Sequence, residues 1–366
     1  MSSFPTIQTH ERESARGMSS RRHLTAALAV ALLVVTVLAV APAAAADTGA
    51  PATAPVAAAA APAGSPVRPL ALGVSMLPYS DLSVLDQFAS DSGSGRMPAA
   101  WSVWSDWGGS NKEFPTELMD GLLARGVTPI VLWEPIDPSD PTNQDHPSYS
   151  YQSMIRGKYD AYVRAWAQAA KDWGHPVLLR FAHEFNGTWF PWGVQRFSNT
   201  PKLFIQAWRH VWNIFRGKNG VGAKNVRFVW SPNQPCGQCT SYTKLYPGDK
   251  YVDYAAFSSF NWSGKVPWKS MVQAFELSMK GLAKVTRKPV IVAETGSSAK
   301  GGDKATWIRK GYPAVHKKWP RIKLIIYFNI DTRDVGQRDW RLVSPASALD
   351  AYRSILARPS FQGSIN

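Results

Sequence analysis

Two glutamates that follow apolar runs are the residues in this sequence best placed to react together. Glu184 lies in LLRFAHEFNGTWFPWG (178–193), and Glu294 lies in VIVAETG (290–296). Glutamate is rarely buried without a partner, so a buried strand that runs into charge and tryptophan calls for a functional explanation. Hydrolysis of a glycosidic bond uses one carboxyl group to protonate the leaving oxygen and another to stabilise or attack the anomeric carbon. The pair therefore predicts glycosidase chemistry, and a salt-bridge network that braces the fold is the structural alternative.

The elements that must position this pair are short apolar strands, which alternate with longer amphipathic segments. Near-continuous apolar runs are typical of parallel strands that are covered on both faces. Eight alternations without a repeat signature predict an α/β protein with a single (β/α)8 TIM barrel. The predicted strands are LALGVSM (70–76), AAWSVWSDW (99–107), TPIVLWEP (128–135), PVLLRFAHE (176–184), VRFVWSPN (226–233), YAAFSSFNW (254–262), PVIVAETG (289–296) and IKLIIYFNI (322–330).

The clearest helix pattern is GKYDAYVRAWAQAAKDWG (157–174). Its apolar positions recur at steps of three and four residues, which predicts a core-facing stripe of Tyr159, Tyr162, Trp166, Ala170 and Trp173. The segment after the fifth strand, TSYTKLYPGD (240–249), is short, so a helix there is doubtful. Further helices are predicted at 115–126, 200–215, 268–285 and 304–319.

A barrel of this kind places its chemistry at the C-terminal ends of the strands. Polar residues do follow the predicted strands there, and they include Asp106, Glu134, His183, Glu184 and Glu294. Strand alternation puts Leu178, Arg180, Ala182 and Glu184 on one face, and it aligns Val290, Val292 and Glu294 on another strand. An inward Arg180 would need a carboxylate partner.

Four segments then resemble glycoside hydrolase family 26: RFAHEFNGTWFPWG (180–193), FVWSPN (228–233), YPGDKYVDY (246–254) and VIVAETG (290–296). The resemblance covers most of residues 70–345. It implies a retaining enzyme with Glu184 as acid/base and Glu294 as nucleophile. It also places Arg180, His183 and Trp189 around the reacting sugar.

These roles carry physical requirements. Glu184 must be protonated at working pH, so burial or negative charge must raise its pKa, and Arg180 should keep Glu294 ionised. A retaining pair implies carboxyl groups about 5–5.5 Å apart, against about 6.5–9.5 Å for an inverting enzyme. Trp189, Trp192 and Trp340 are predicted to offer flat faces to a pyranose ring, with packing as the alternative for each.

Two positions depart from the family pattern. Phe260 stands where the family usually has a tyrosine that hydrogen-bonds the nucleophile, so the nucleophile would have one donor fewer. Glu134 follows Trp133 where mannanases of the family commonly have a histidine. With Asp106, this third carboxylate is expected to bind substrate, and Glu134 could instead raise the pKa of the acid.

The expected function is that of a secreted retaining endo-β-glycanase, an O-glycosyl hydrolase, which cleaves β-1,4-mannan. A β-1,3-1,4-glucanase (lichenase) and a β-1,3-xylanase are alternatives with the same fold, and a catalytically weak carbohydrate-binding barrel is an alternative of another class. The formal charge is +15, but lysine and arginine are dispersed, so no nucleic-acid partner is expected. A monomer that binds a β-linked polysaccharide is expected.

The N-terminal region predicts export. Residues 1–46 combine a basic start, an apolar run and a small-residue exit, which is typical of a secretory signal peptide, and an uncleaved membrane anchor is the alternative. Residues 47–69 are rich in Ala and Pro and predict a linker, and all 16 tryptophans lie in the predicted catalytic domain, 70–366.

The two cysteines and the metal-binding signatures complete the sequence-based expectations. Cys236 and Cys239 are the only cysteines, and outside the cell they are expected to form a short disulfide. Neither a cofactor nor a metal is expected, because none of the usual ligand spacings occurs.

Overall fold

The computed structural model describes residues 69–140, 147–262 and 266–365. The predicted signal peptide (1–46) and all but the last residue of the predicted linker (47–69) lie outside the described residues. Eight parallel strands pair in chain order and close into a barrel, which confirms the predicted fold. The strands are β1 (Ala71–Ser75), β2 (Ala100–Asp106), β3 (Thr128–Glu134), β4 (Val177–Phe181), β5 (Val226–Trp230), β6 (Tyr254–Asn261), β7 (Val290–Ser297) and β8 (Ile322–Phe328).

Helices surround the barrel, and five of them match predicted segments. These are α2 (Thr116–Ala124), α4 (Asp160–Trp173), α5 (Pro201–Arg216), α6 (Met271–Ala283) and α7 (Lys304–Lys318). Between β5 and β6 the structure has only two single-turn 3-10 helices, Tyr242–Lys244 and Asp249–Tyr251, where the sequence predicted no strong helix. Three helices were not predicted: α1 (Ser83–Asp91), α3 (Tyr151–Ile155) and α8 (Ala346–Leu356).

Helix α5 shows how the local sequence and the packing agree. Thr200 caps its N-terminus, since the side chain accepts a hydrogen bond from the Leu203 amide, and a proline occupies the first turn. One face buries residues such as Phe204, Trp208 and Phe215. Burial of each such side chain contributes about 1.5–3 kcal/mol.

The apolar interior forms two layers. The inner core lies inside the barrel, because all eight strands contribute to it, and its side chains are mostly small or aliphatic. Its strand members are Ala71, Ala100, Ile130, Leu178, Val229, Ala256, Ile291, Ala293, Leu324 and Ile326. The outer core lies between strands and helices and contains many of the tryptophans.

The C-terminal residues close the bottom of the barrel. Ile365 belongs to the inner core, beside Ala71 of β1. The Leu70 amide donates to the Ser360 carbonyl (2.8 Å), and the Gly363 amide donates to the Leu70 carbonyl (3.2 Å). The last described residues are thus bonded to the first.

Alternation along β4 ends earlier than predicted. The strand stops at Phe181, and Ala182 and Glu184 adopt left-handed φ values of 47° and 53°. Ala182 packs in the outer core, whereas Leu178 lies in the inner core. The prediction that Ala182 shares a face with Leu178 and Glu184 is therefore wrong, because a turn rather than a strand carries residues 182–184.

The predicted alignment on β7 is also wrong. Val290 and Val292 lie in the outer core, and Ile291 and Ala293 lie in the inner core. The register with β6 skips one residue, since Phe257 pairs with Val292 and Ser258 pairs with Glu294. This β-bulge at Ala293 places Glu294 on the inner side next to Ala293, which regular alternation would not allow.

The structure joins Cys236 and Cys239 by a disulfide in the β5–β6 connection. Within residues 69–140, 147–262 and 266–365, no helix has the length and apolar character needed to span a membrane.

Candidate active site

The turn after β4 brings Glu184 to the mouth of the barrel. Left-handed φ values cost about 1–3 kcal/mol per residue and persist only where the surroundings enforce them. Here the Ala182 amide donates to the Trp133 carbonyl (3.0 Å), and the Glu184 amide donates to the Ser231 carbonyl (2.8 Å). The turn is therefore fixed between β3 and β5, and the Glu184 side chain remains partly exposed.

Arg180 and Glu294 form a buried ion pair across the barrel. Arg180 Nη1 lies 3.0 Å from Glu294 Oε1, and the arginine is fully buried. Its Nε donates to Ser231 Oγ (3.3 Å) and its Nη2 to Ser258 Oγ (3.4 Å). Glu294 is thus the carboxylate partner that an inward Arg180 requires, and the guanidinium balances its charge.

The environment of Glu184 favours its protonated form. Removal from bulk water and the charge of Glu294 raise the pKa of Glu184 to about 7, although hydrogen bonds from Trp189 and Ser258 oppose this shift. The Trp189 indole donates to Glu184 Oε2 at 2.8 Å. A carboxyl group that holds a proton up to about pH 7 therefore stands near a carboxyl group that is paired with arginine, so the two glutamates have different electrostatic environments.

Phe260 does not leave Glu294 without a hydroxyl partner. Its ring packs at the barrel mouth against Trp340 and Phe328, with centroids 4.9 and 5.5 Å away. The hydroxyl near Glu294 comes from Ser258, whose Oγ donates to Glu294 Oε2 at 3.4 Å. The donor that was expected to be missing is therefore replaced from β6, although at a long distance.

All three tryptophans expected to face the sugar are buried. Trp192 is 1% exposed, stacks on Phe190 at 4.4 Å and donates to the His183 carbonyl at 2.7 Å. Trp340 is also 1% exposed, because Phe260 and Trp262 cover its ring. Trp189 is 7% exposed and reaches Glu184 through its indole N–H. All three expectations are corrected, because none of these rings presents an open face.

Asp106, Glu134 and His183 lie at the ends of β2 and β3 and in the turn that also carries Glu184. Asp106 of β2 pairs in register with Glu134 of β3, and His183 Nδ1 lies 3.7 Å from Glu134 Oε1. All three side chains are buried. Burial is the main cause that raises the pKa of Asp106 to about 6 and that of Glu134 to about 8.

Sequence reasoning missed several side chains at this mouth. Trp104 is partly exposed and lowers the pKa of the neighbouring Glu134, and the alternation of Ser102, Trp104 and Asp106 on β2 could have revealed it. Tyr79 follows β1, and the charge of Glu294 adds to the burial that raises the pKa of its phenol. No sequence signal indicates Tyr79, because only tertiary packing brings the β1 loop to the site. Ser258 could be identified only once the β7 bulge was known.

The described residues contain no group of three or more His, Cys, Asp or Glu side chains arranged to hold a metal ion. The mouth contains the carboxyl groups of Asp106, Glu134, Glu184 and Glu294, one arginine and hydrogen-bonding side chains.

The chain matches one family model and several known proteins. The model of the family described as "Glycosyl hydrolase family 26" matches residues 139–316. Endoglucanase H of Acetivibrio thermocellus is 34% identical over 248 residues, which are 66% of this chain and 25% of that protein. Mannan endo-1,4-β-mannosidase A and B of Caldalkalibacillus mannanilyticus is 35% identical over 92 residues, which are 24% of this chain and 17% of that protein. The chain thus spans a quarter or less of the length of these two relatives.

A solved structure supports the fold. The GH26C structure from a Muricauda species matches with a TM-score of 0.58 at 17% identity, over 81% of this chain and 87% of that one. At this identity the match is evidence for the barrel architecture alone.

Proposed function

Because this chain belongs to glycosyl hydrolase family 26, we propose that it is a retaining endo-β-glycanase that cleaves the backbone of a β-linked polysaccharide. The observation that carries the proposal is the pairing of a partly exposed Glu184, whose pKa is raised to about 7, with a buried Arg180–Glu294 ion pair at 3.0 Å. A binding protein would have no need for one carboxyl group with a raised pKa beside a second one paired with a buried arginine.

The proposed reaction has two steps. Glu294 attacks the anomeric carbon while Glu184 transfers its proton to the glycosidic oxygen, so the leaving sugar departs as an alcohol and a glycosyl ester forms on Glu294. Glu184, now ionised, takes a proton from water, and the resulting hydroxide attacks the same carbon and releases Glu294. The anomeric configuration is retained after two inversions.

β-1,4-Mannan is the first candidate substrate, because relatives such as the Caldalkalibacillus enzyme are named as mannan endo-1,4-β-mannosidases. Mixed-linkage β-1,3-1,4-glucan is the second candidate. Two observations favour it: the match to Endoglucanase H extends over 248 residues, and Glu134 occupies the position where mannanases of the family commonly have a histidine.

We also propose export from the cell, on the sequence of residues 1–46 alone, with 47–69 as a linker and 70–366 as the catalytic domain. A monomer that binds neither nucleic acid nor membrane after signal cleavage fits the dispersed surface charge.

The test is reducing-sugar release from galactomannan, lichenan and β-1,3-xylan by the expressed chain, with Glu184→Gln and Glu294→Gln alongside. Activity on one polymer that falls by about 10³-fold or more in both variants is expected. Proton NMR of the first product should show the β-anomer. Release with inversion would overturn the mechanism, and a folded wild-type protein without activity on any polymer would favour a binding role.

A further inference from the structure

The cluster of Asp106, Glu134 and His183 is an acidic pocket that the two-carboxylate reaction leaves unexplained. The three side chains are 0%, 3% and 4% exposed, and they come from the ends of β2 and β3 and from the turn after β4. Inner-face alternation on β2 and β3 places Asp106 and Glu134 side by side in register, facing the barrel mouth. Both acids are therefore held in the same small volume.

Among the described residues, no lysine or arginine forms an ion pair with Glu134. His183 Nδ1 lies 3.7 Å from Glu134 Oε1, but burial together with Arg180 lowers the pKa of His183 well below its usual value, so the ring is neutral. Arg180 itself is bonded to Glu294 at 3.0 Å. A buried carboxylate without a cationic partner takes up a proton rather than remain charged.

The pocket also contains buried polar atoms that lack partners. Within the residues that the structure describes, Asp106 Oδ2 and His183 Nδ1 make no hydrogen bond. Such atoms are rare in folded proteins and usually await a ligand or water. Trp104 also lies close enough to Glu134 to favour its ionised form, and the Trp104 ring is partly exposed.

We propose that Glu134 is an uncharged carboxylic acid that donates a hydrogen bond to a hydroxyl group of the bound sugar, with Asp106 and His183 as the other partners of that hydroxyl. This inference rests on the proposed function, since it takes the ligand to be a β-glycan. A sugar hydroxyl both donates and accepts, so it can accept from Glu134 and donate to Asp106 Oδ2. The exposed part of Trp104 provides an apolar surface beside it.

The surrounding charges support this protonation state. Burial raises the pKa of Glu134 most, Asp106 and Glu294 raise it further, and Trp104 and Arg180 oppose them, which leaves it at about 8. The charged and titratable groups that face Glu134 are Tyr79 from the β1 loop, Asp106 on β2, Arg180 and His183 around β4, and Glu294 on β7.

Infrared difference spectroscopy tests the protonation state without requiring activity. Glu184→Gln serves as the background, so that the acid/base does not contribute. At pH 7 the spectrum of Glu184→Gln should contain the carbonyl stretch of a protonated carboxylic acid that the Glu184→Gln/Glu134→Gln double variant lacks. No difference in that band between the two proteins would overturn the proposal.

Substitutions test the hydrogen bond to substrate on whichever polymer the wild type cleaves. Glutamine keeps a neutral donor of the same shape, so Glu134→Gln should retain kcat/KM within about 3-fold. Glu134→Ala should lower kcat/KM by about 10–100-fold, mainly through KM, because it leaves polar partners unsatisfied. Glu117→Gln, at an exposed position of α2, is the control and should change nothing.

Each outcome has a distinct meaning. If Glu134→Gln falls as far as Glu134→Ala while both proteins remain folded, an ionised carboxylate is needed and the proposal fails. Unchanged activity in both variants would also overturn it. If the wild type cleaves no polymer, the proposed function fails, while the infrared band still reports on Glu134. In that case binding is tested by titrating Glu184→Gln with mannotetraose or a mixed-linkage glucan tetrasaccharide and recording the change in fluorescence. This change should disappear in Glu184→Gln/Glu134→Ala. An unchanged titration would overturn the proposal.

Discussion

The hydrogen bond from Trp189 to Glu184 limits how far the pKa of Glu184 is raised. The 2.8 Å bond from the indole favours the ionised carboxylate and so opposes the raised pKa. Trp189→Phe should therefore raise the pKa further. We expect the alkaline limb of the kcat/KM profile, where activity is lost as pH rises through about 7, to move to higher pH by about 0.5–1 unit, while the maximum falls.

Trp173→Phe is the matched control, since that indole donates to Asp120 Oδ1 at the same 2.8 Å but lies outside the site. Its pH profile should coincide with that of the wild type. An alkaline limb that moves to lower pH in Trp189→Phe would show that the indole does not stabilise the carboxylate.

Arg180 is also important for stability, because its removal leaves Glu294 as a buried charge. Loss of one partner of a buried pair costs about 3–5 kcal/mol. Arg180→Met should lower the free energy of unfolding at pH 7 by this amount, measured in urea, and the Arg180→Met/Glu294→Gln double variant should recover part of the loss. The exposed Arg125–Asp86 pair gives the comparison, and Arg125→Met should cost much less. Equal losses in Arg180→Met and Arg125→Met would contradict this account.

At the scale of elements, the N-terminus of α7 holds the connection between β8 and α8. Lys304, the first residue of α7, is 1% exposed, and its Nζ donates to the carbonyls of Trp340 (3.0 Å), Arg341 (2.6 Å) and Ser344 (2.9 Å). Lys304→Met would remove the charged donor from three carbonyl groups, of which that of Trp340 keeps a second donor in Tyr327 Oη (2.9 Å), so we expect a loss of about 2–4 kcal/mol in thermal or urea unfolding.

Lys310→Met, an exposed position on the same helix, is the control and should unfold like the wild type. If the two variants unfolded alike, the three carbonyls would have to find other donors when the ammonium group is removed.

The sequence predicted the elements better than the directions of their side chains. Apolar runs located all eight strands, because strands buried on both faces leave a strong composition signal. The sequence placed Glu294 on the same face of β7 as Val292. The bulge at Ala293 instead turns Glu294 to the opposite face, which is the inner one. A bulge depends on pairing between two strands and leaves no mark in a single strand.

The residues that meet at the candidate site were predicted in part, as were the side-chain directions along the strands. Glu184, Glu294 and Arg180 were recognisable because charge at the end of an apolar strand is unusual. The burial of Trp192 and Trp340 was not recognisable, because the exposure of an aromatic ring depends on neighbours that are distant in sequence. In contrast, α8 was missed although Ala348, Ala351, Tyr352 and Ile355 repeat at helical spacing.

At the scale of the whole molecule, three carboxyl groups with raised pKa values should make stability fall as pH rises. The pKa values of Asp106, Glu184 and Glu134 are raised to about 6, 7 and 8, so the folded state binds protons that the unfolded state has released. The stabilisation is complete below about pH 4 and is lost as pH rises through 6 to 8. We expect the midpoint of urea unfolding to decrease between pH 5 and 8.

Glu134→Gln should flatten this dependence above pH 6, because glutamine does not titrate, and Glu117→Gln should preserve it. A midpoint that rises from pH 5 to 8 in the wild type would contradict the inferred charge states. Acids with lowered pKa, such as Asp339 at about 2, affect stability only below this range, whereas the lowered pKa of buried His183 adds stability as pH rises towards 6.5 and so partly offsets the decrease below that pH.

The hydrogen bonds between Leu70 and residues 360 and 363 have a consequence for chain connectivity. The first and last described residues meet beneath the barrel, on the side away from the catalytic mouth. A short Gly/Ser peptide could join residues 69 and 365, and the chain could be reopened at Lys218–Asn219, an exposed turn on the same side. Such a circular permutant is expected to preserve every strand pairing, and its folding would show that the barrel does not depend on which of its eight units is made first.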